Sequence, residues 1–419
     1  MVRICQTPAR YSAPVSTLEA PLPAPPPHEA DGAPGPVGPG TRAQWLSSAR
    51  LGLSTWGAAA TAYVLVNTFY WMIIDKPGPS VGRMLAIWNR WDTGHYIRIA
   101  EIGYQPDHPD SAAFFPLYPL LMRALNPVLP GGPLTAALVV SNLACIGALT
   151  VLHRLAAVEL DERSAARLPL YLVAFPSAFF LCAGYTSSLF LLLSAAALYA
   201  MRRGRWWLAG GIGALATASR LAGVLLTIAF VIEYARQHGW RPRQWRLDAL
   251  GLVLVPAGVV AFSVYCWQRL GDPLAFSRAQ DLWGRELSAP WSGLGEAIGA
   301  VVTRPLLEQK ALHNAIDAVT LIGMGALLVL SVVGPWKLRR DQLYLVGYAA
   351  AALALLLVGP VAGLFPMQGA PRYALELIPA FFVLATMGRN QHFDRLYLVP
   401  AIAVQVMFLL TFFNGVWIS

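Results

Sequence analysis

"WWLAGGIGALATASRLAGVLLTIAFVIEYA", residues 206–235, is almost unbroken apolar sequence with one arginine, Arg220, at its middle. A helix crossing a bilayer needs about 20 such residues. The segment is therefore long for one crossing and short for two, and the choice decides on which side of the membrane every later loop lies. Its flanks settle the matter. Arg202, Arg203 and Arg205 precede it, and Arg236, Arg241, Arg243 and Arg246 follow it. Basic residues collect in cytoplasmic loops, so both clusters belong inside and an even number of crossings separates them. The segment divides near Arg220 into two spans.

Working outward, the other spans fall at about 51–74, 134–155, 167–183, 185–201, 247–268, 311–334, 342–362, 373–388 and 396–416. The chain reads as an all-α polytopic membrane protein with about 11 transmembrane helices, its N-terminus cytoplasmic and its C-terminus outside. Arg154, Arg163 and Arg167 fall inside without adjustment, as do Lys337, Arg339 and Arg340. Two long polar loops, about 75–133 and 269–310, and the short loop "QGAPRY", 368–373, fall on the extracytoplasmic face of a cell membrane.

Composition agrees. Charged residues make up 13% of the 419 and hydrophobic types 56%, where a soluble domain carries about 25% charged residues. Mean hydropathy is +0.52. The net charge of +9 reports orientation in such a chain, and no compact basic face with interleaved aromatics points to nucleic acid. Cys5, Cys145, Cys182 and Cys266 have neither metal-ligand nor disulfide-framework spacing. Residues 1–45, which include "APLPAPPPHEADGAPGPVGPG", hold too few large apolar residues to fold and read as a disordered cytoplasmic tail before a membrane domain, 46–419. They lack the apolar stretch and cleavage site of a signal peptide.

The first outer loop carries "RWDTGHYIRIAEIGY", residues 90–104. A helix over 88–101 puts His95 three and Tyr96 four residues after Asp92, on one face, and allows an Arg98–Glu101 pair. With Trp88 and Trp91 this also suits a solvated interfacial helix. Asp92, close to the membrane surface, is the candidate general base, since proton removal needs a carboxylate within hydrogen-bond reach. "SAAFFPLYPLLMRAL", 111–125, is interrupted by Pro116 and Pro119 and suits a helix lying in the interface, where it could wall a lipid-chain groove or simply pack. "FSRAQDLWGRELSAPW", 276–291, with Arg278, Asp281, Arg285 and Glu286, reads as an amphipathic surface helix of the second outer loop. Arg98, Arg220 and Arg372 lie near the outer face, where an arginine either snorkels or serves a phosphate through its planar donor fork. No Walker A or dinucleotide fingerprint is present, and neither nucleotide sugars nor ATP are supplied on that face. The outer-loop acids are dispersed and no His or Cys cluster occurs, so no cofactor is called for, although a divalent cation is compatible with the chain.

"RWDTGHYIRIAEIGY" followed by "AFFPLYPLL" resembles the first-loop signature of the PIG-V-like mannosyltransferase family, which includes bacterial members. The resemblance continues in "FPSAFFLCAGYTSSLFLLLSAAALYAMRRGRWWLAGGIGALATASRLAGVLL", 175–226, and in "APRYALELIPAFFVLA", 370–385. It implies a GT-C fold, a lipid-phosphate sugar donor and inversion at the anomeric carbon, and it makes Asp92 the essential acid, with His95 and Glu101 at accompanying positions. The chain departs from the eukaryotic pattern at "YTSS", where Ser187 stands in place of an acid, so that acid's role is not carried over.

The expectation is a membrane hexosyltransferase that moves mannose from a polyprenyl-phosphate sugar to an extracytoplasmic acceptor, whether glycolipid, glycan or protein. Asp92 is catalytic. His95, Arg98, Glu101, Tyr104, Arg220, Arg372 and Tyr373 are substrate-binding candidates, with Arg372 and Arg220 for the leaving phosphate. The rival class is a multi-span lipid or sugar transporter or flippase, which would commonly show internal repeats with broken helices in matching positions. The two polar outer loops follow the first and seventh spans and show no such symmetry. A lipid-linked ligase or a protein mannosyltransferase would share the fold and differ in acceptor.

Overall fold

The computed structural model describes residues 40–74, 80–305 and 308–417, so the reading of 1–39 as a disordered tail lies outside the described residues. The first helix begins earlier than the apolar pattern suggests. α1 runs Arg42–Ile74, started by a reciprocal cap in which Gln44 N donates to Thr41 Oγ1 at 3.3 Å and Thr41 N to Gln44 Oε1 at 3.0 Å. Thr41-x-x-Gln44 is the local signal for that start, and residues 42–45 leave the expected tail.

The following elements are helical throughout: α2 (Val81–Ala86), α3 (Asp92–Ile102), α4 (Leu117–Leu125), α5 (Gly132–Glu159), α6 (Glu162–Val173), α7 (Ser187–Arg202), α8 (Trp206–Ser219), α9 (Leu226–His238), α10 (Gly251–Leu254), α11 (Ala257–Leu270), α12 (Ala275–Leu282), α13 (Ser292–Thr303), α14 (Gln309–Leu330), α15 (Leu343–Val358), α16 (Ala370–Ala374), α17 (Ile378–Met387) and α18 (Gln391–Phe413). Among the described residues the only extended pairing is a single antiparallel bridge, Arg285 with Val361. α5 packs against α1 and α7, and α7 against α8. The main core fills the space between these helices with Leu149, Leu152, Phe179, Phe180, Phe190, Leu198 and Phe230.

Among the described residues five helices are long and apolar enough to cross a membrane: α1, α5, α14, α18, and α15 extended from Arg340. α10 and α11, with the turn before them, would make a sixth with a 43° bend. The architecture is all-helical and polytopic, and among the described residues several of the expected spans are built from short helices joined at breaks rather than from one continuous helix. The expected 167–183 span stops at Val173, just before Pro176, and 174–186 forms buried turns. The 206–235 segment breaks where expected: α8 ends at Ser219, Arg220 is extended, and a short 3₁₀ turn covers Leu221–Leu225 before α9. The 247–268 segment breaks at Val255–Pro256, and 373–388 breaks between α16 and α17. These short pieces carry the polar residues described below.

At one end of α7 a buried ion cluster ties helices together. Arg202, 2% exposed, meets Glu159 at 2.8 Å, Glu233 at 3.4 Å, and Asp341. Tyr344 donates to Glu159 Oε1 at 2.8 Å, and Gln342 Nε2 donates to Glu159 Oε2 at 3.0 Å. Arg236 and Gln237 satisfy Glu233, and Arg339 reaches Glu159 and Asp341. Arg202 is therefore a buried partner of three acids rather than a solvated loop charge.

Candidate active site

The site begins with a strained residue. Trp91 has φ 51°, the one positive φ at a non-glycine among the described residues. Such a conformation costs on the order of 1–3 kcal/mol, and it starts α3 at Asp92 rather than at 88. The helix is held at both ends. Thr93 packs against Gly184, where a Cβ would lie 2.7 Å from the Thr93 methyl group, so "AGYTSS" needs glycine at this close approach. Arg123 of α4 donates to the Ala100 and Glu101 carbonyls at 2.7 and 2.9 Å, closing the C-terminal end.

Asp92 forms an ion pair with Arg372 of α16. Arg372 is buried while Asp92 keeps 17% of its side-chain surface, so the carboxylate remains reachable. Arg372 sits over Tyr185 at 5.2 Å, Tyr373 at 5.2 Å and Phe180 at 5.9 Å, which fixes its fork among aromatic faces. Ser177 donates to the Pro371 carbonyl at 2.6 Å and holds α16 in place. Tyr373 in turn collects three guanidinium groups. Arg372, Arg220 and Arg285 lie 5.2, 5.4 and 5.8 Å from its ring, and its hydroxyl is 3.4 Å from Arg372 and 3.5 Å from Arg285.

Arg220, set at the break between α8 and α9, pairs with Glu376. It also donates to Thr186 Oγ1 at 2.9 Å and Ser187 Oγ at 3.2 Å. Thr186 meets the Tyr96 hydroxyl at 3.3 Å. Burial, and next the charge of Asp92, push the Tyr96 phenol up to about 12, so it stays neutral at physiological pH. Arg285 donates to the Gly359 carbonyl at 3.0 Å and has no carboxylate partner among the described residues. Three arginines thus face two carboxylates.

His95 lies one turn from Asp92, stacked on Phe114 at 4.7 Å. Arg98 and Glu101 follow Asp92 by six and nine residues. At about 100° per residue they point well away from it, Glu101 to the opposite side of α3, and no Arg98–Glu101 ion pair forms among the described residues. Tyr104 is buried and donates to the Phe114 carbonyl at 2.6 Å, holding the loop rather than facing the cluster. In 111–125, a 3₁₀ turn over Pro109–Ala113 precedes α4, which starts after Pro116. Tyr118 in α4 donates to the Ala137 carbonyl at 2.9 Å.

The expected surface helix over 276–291 stops at Leu282. Gly284 has φ +69°, and the chain turns to pair with 358–362, with Ala362 N donating to Gly284 O at 2.6 Å and Ser288 N to Val358 O at 2.9 Å. Arg285 is thereby delivered to Tyr373. Sequence reading missed Arg285 and Glu376 as site residues. Glu376 carried a signal, an acid inside an apolar run, and Arg285 carried a weaker one in the glycine before it. Among the described residues no three His, Cys, Asp or Glu side chains could hold a metal ion together.

Residues 78–239 match the family model described as mannosyltransferase (PIG-V), so the resemblance carried by the motif blocks is borne out. The first two blocks lie inside the match and the third, at 370–385, lies beyond it. GPI alpha-1,6-mannosyltransferase 2 of Rattus norvegicus is 33% identical over 182 residues, 41% of this chain and 36% of that protein. GPI mannosyltransferase 2 of Yarrowia lipolytica is 37% identical over 140 residues, 32% of this chain and 39% of that protein. The chain thus spans little more than a third of the length of the curated relatives it matches. Among solved structures, ArnT from Cupriavidus metallidurans bound to undecaprenyl phosphate aligns with a TM-score of 0.48 and 15% identity, over 86% of this chain and 76% of that one.

Proposed function

We propose that this PIG-V-like chain is a membrane mannosyltransferase that takes its sugar from a polyprenyl-phosphate donor and passes it, with inversion, to a hydroxyl on the extracytoplasmic side of the cell membrane. The observation that carries the reading is the pairing of Asp92 with a cluster that holds one positive charge too many. Among the described residues Arg372 pairs with Asp92 and Arg220 with Glu376, while Arg285 has no carboxylate within ion-pair distance. A phosphodiester linking a lipid to a sugar bears one negative charge and would balance them.

In this mechanism the acceptor hydroxyl approaches the reachable side of Asp92. Its oxygen attacks the anomeric carbon while its proton passes to the carboxylate. The bond from that carbon to the phosphate oxygen breaks, and the lipid phosphate leaves with the electron pair. Arg285, which has no acid to release, takes the developing charge. Arg372 holds Asp92 until the phosphate arrives and then shares its fork between carboxylate and phosphate. Arg220, braced by Glu376, Thr186 and Ser187, keeps Tyr373 and Tyr96 in register. Outside placement of the loops rests on the distribution of basic residues.

The test is Asp92→Asn protein in membranes supplied with labelled lipid-phosphate mannose. Loss of transfer at normal expression is expected. Retained transfer removes Asp92 from the mechanism.

A further inference from the structure

The exposed side of the site has a second feature that lipid-phosphate chemistry does not use. His95 and Phe114 lie parallel, 4.7 Å apart with 9° between their planes. Trp283 is 5.2 Å from His95 and 5.7 Å from Phe114, at 72° and 78°. Being nearly equidistant from two stacked rings, Trp283 stands beside the stack and closes a corner of three rings. Its indole nitrogen donates to the Asp110 carbonyl at 3.2 Å, which fixes the ring. The Asp110 carboxylate lies 4.0 Å from His95 Nδ1 and has no arginine or lysine partner among the described residues. Trp283 is 37% exposed, and the side chains of His95 and Asp110 are 31% and 36% exposed.

This corner has the chemistry of a pyranose site. Aromatic faces carry partial negative charge and attract the C–H side of a sugar ring. A carboxylate with free lone pairs accepts from neighbouring hydroxyls, and it would repel a phosphate. The chain places the corner relative to the arginine cluster through one turn. The positive φ at Gly284 sends Trp283 to His95 and Arg285 to Tyr373. If the phosphate sits at Arg285, the donor hexose lies between it and Asp92, and the ring beyond Asp92 belongs to the other substrate.

We infer that Trp283, His95 and Asp110 form a subsite for an uncharged saccharide, the ring that bears the accepting hydroxyl. This rests on the reading of Asp92 as the base. The test is glycoside binding to full-length protein in nanodiscs, read by saturation-transfer NMR, with the methyl glycosides of mannose, glucose and N-acetylglucosamine as probes. Asp92→Asn protein is used so that turnover plays no part. At least one glycoside should give a signal. Trp283→Ala and Asp110→Asn should each reduce it about fivefold or more, through loss of a stacking or charged hydrogen-bond contact, and Trp283→Tyr should restore it. Silence from all three glycosides overturns the subsite, as does a signal unchanged in Trp283→Ala and Asp110→Asn protein. So does a loss that Trp283→Tyr leaves in place. Transfer by the unaltered protein is measured separately. Its absence removes the transferase reading, while its persistence with silent glycosides removes only the subsite.

Discussion

Two buried charge clusters sit at the two ends of α7. At its C-terminal end, Arg202, Arg236 and Arg339 meet Glu159, Glu233 and Asp341, three cations for three anions, with Tyr344, Gln342 and Gln237 filling further acceptor positions. At its N-terminal end, Ser187 meets Arg220 in a cluster of three cations and two anions. Both use the same residue types and centre on buried arginines, Arg202 in one and Arg372 in the other. The closed cluster has no charge left for a ligand and ties α5, α7 and α9 to the chain before α15. The open one has a charge in surplus, a partly exposed carboxylate and a strained residue, Trp91, beside it. Burial of ionised groups is thus no sign of function by itself. The unbalanced count separates the two.

The sharpest way to break this comparison is Asp92→Asn. Loss of a general base should lower transfer about 10²–10⁴-fold per folded molecule when labelled donor is supplied, on top of a lower melting temperature from leaving buried Arg372 without its carboxylate. Arg202→Met should act on stability alone. Removing one member of a buried ionic set costs about 3–5 kcal/mol, read as a lower melting temperature in detergent, with near-normal turnover per folded molecule. Arg285→Gln should reduce kcat/KM for the donor about 10²-fold, the effect of removing one donor aimed at developing charge, and Arg285→Lys should recover part of it. Ser187→Asp would make the open cluster resemble the closed one by giving Arg220 a second acid. It should raise the donor KM about tenfold, or about 1.4 kcal/mol, with little change in stability. The smallest effect belongs to Tyr373→Phe. Its hydroxyl is 3.4–3.5 Å from two guanidinium groups, and its loss should cost about 0.5–1.5 kcal/mol in kcat/KM.

Much of this was legible in the sequence, but unevenly. α1, α5, α14 and α18 follow from apolar length, and the break at Arg220 follows from the basic flanks of 206–235. Asp92, Arg220 and Arg372 could each be singled out as ionisable residues near membrane depth. That Asp92 meets Arg372, and Arg220 meets Glu376, could not be read, because each contact joins segments far apart in the chain and no local period records it. The α3 register was half legible. Its helical period was right, but its start depended on the backbone of Trp91. Arg285 was misplaced because periodicity favours continuing a helix through 276–291, and Gly284 ends that pattern. The expected spans 167–183 and 373–388 are interrupted for a related reason. Apolar runs such as 174–186 are buried by protein here, and hydropathy does not distinguish burial in protein from burial in lipid.

α7 also fixes the depth of the site. From Ser187 to Arg202 it is about 24 Å long at 1.5 Å per residue, while the hydrocarbon layer is about 30 Å thick. A charged cluster stands at each end of a rod shorter than that layer, so at least one of them lies below headgroup level. If that one is the Asp92 cluster, a phosphate carried on a lipid need not rise out of the bilayer to reach Arg285. On the proposed reading, the acceptor would instead have to descend to reach Asp92.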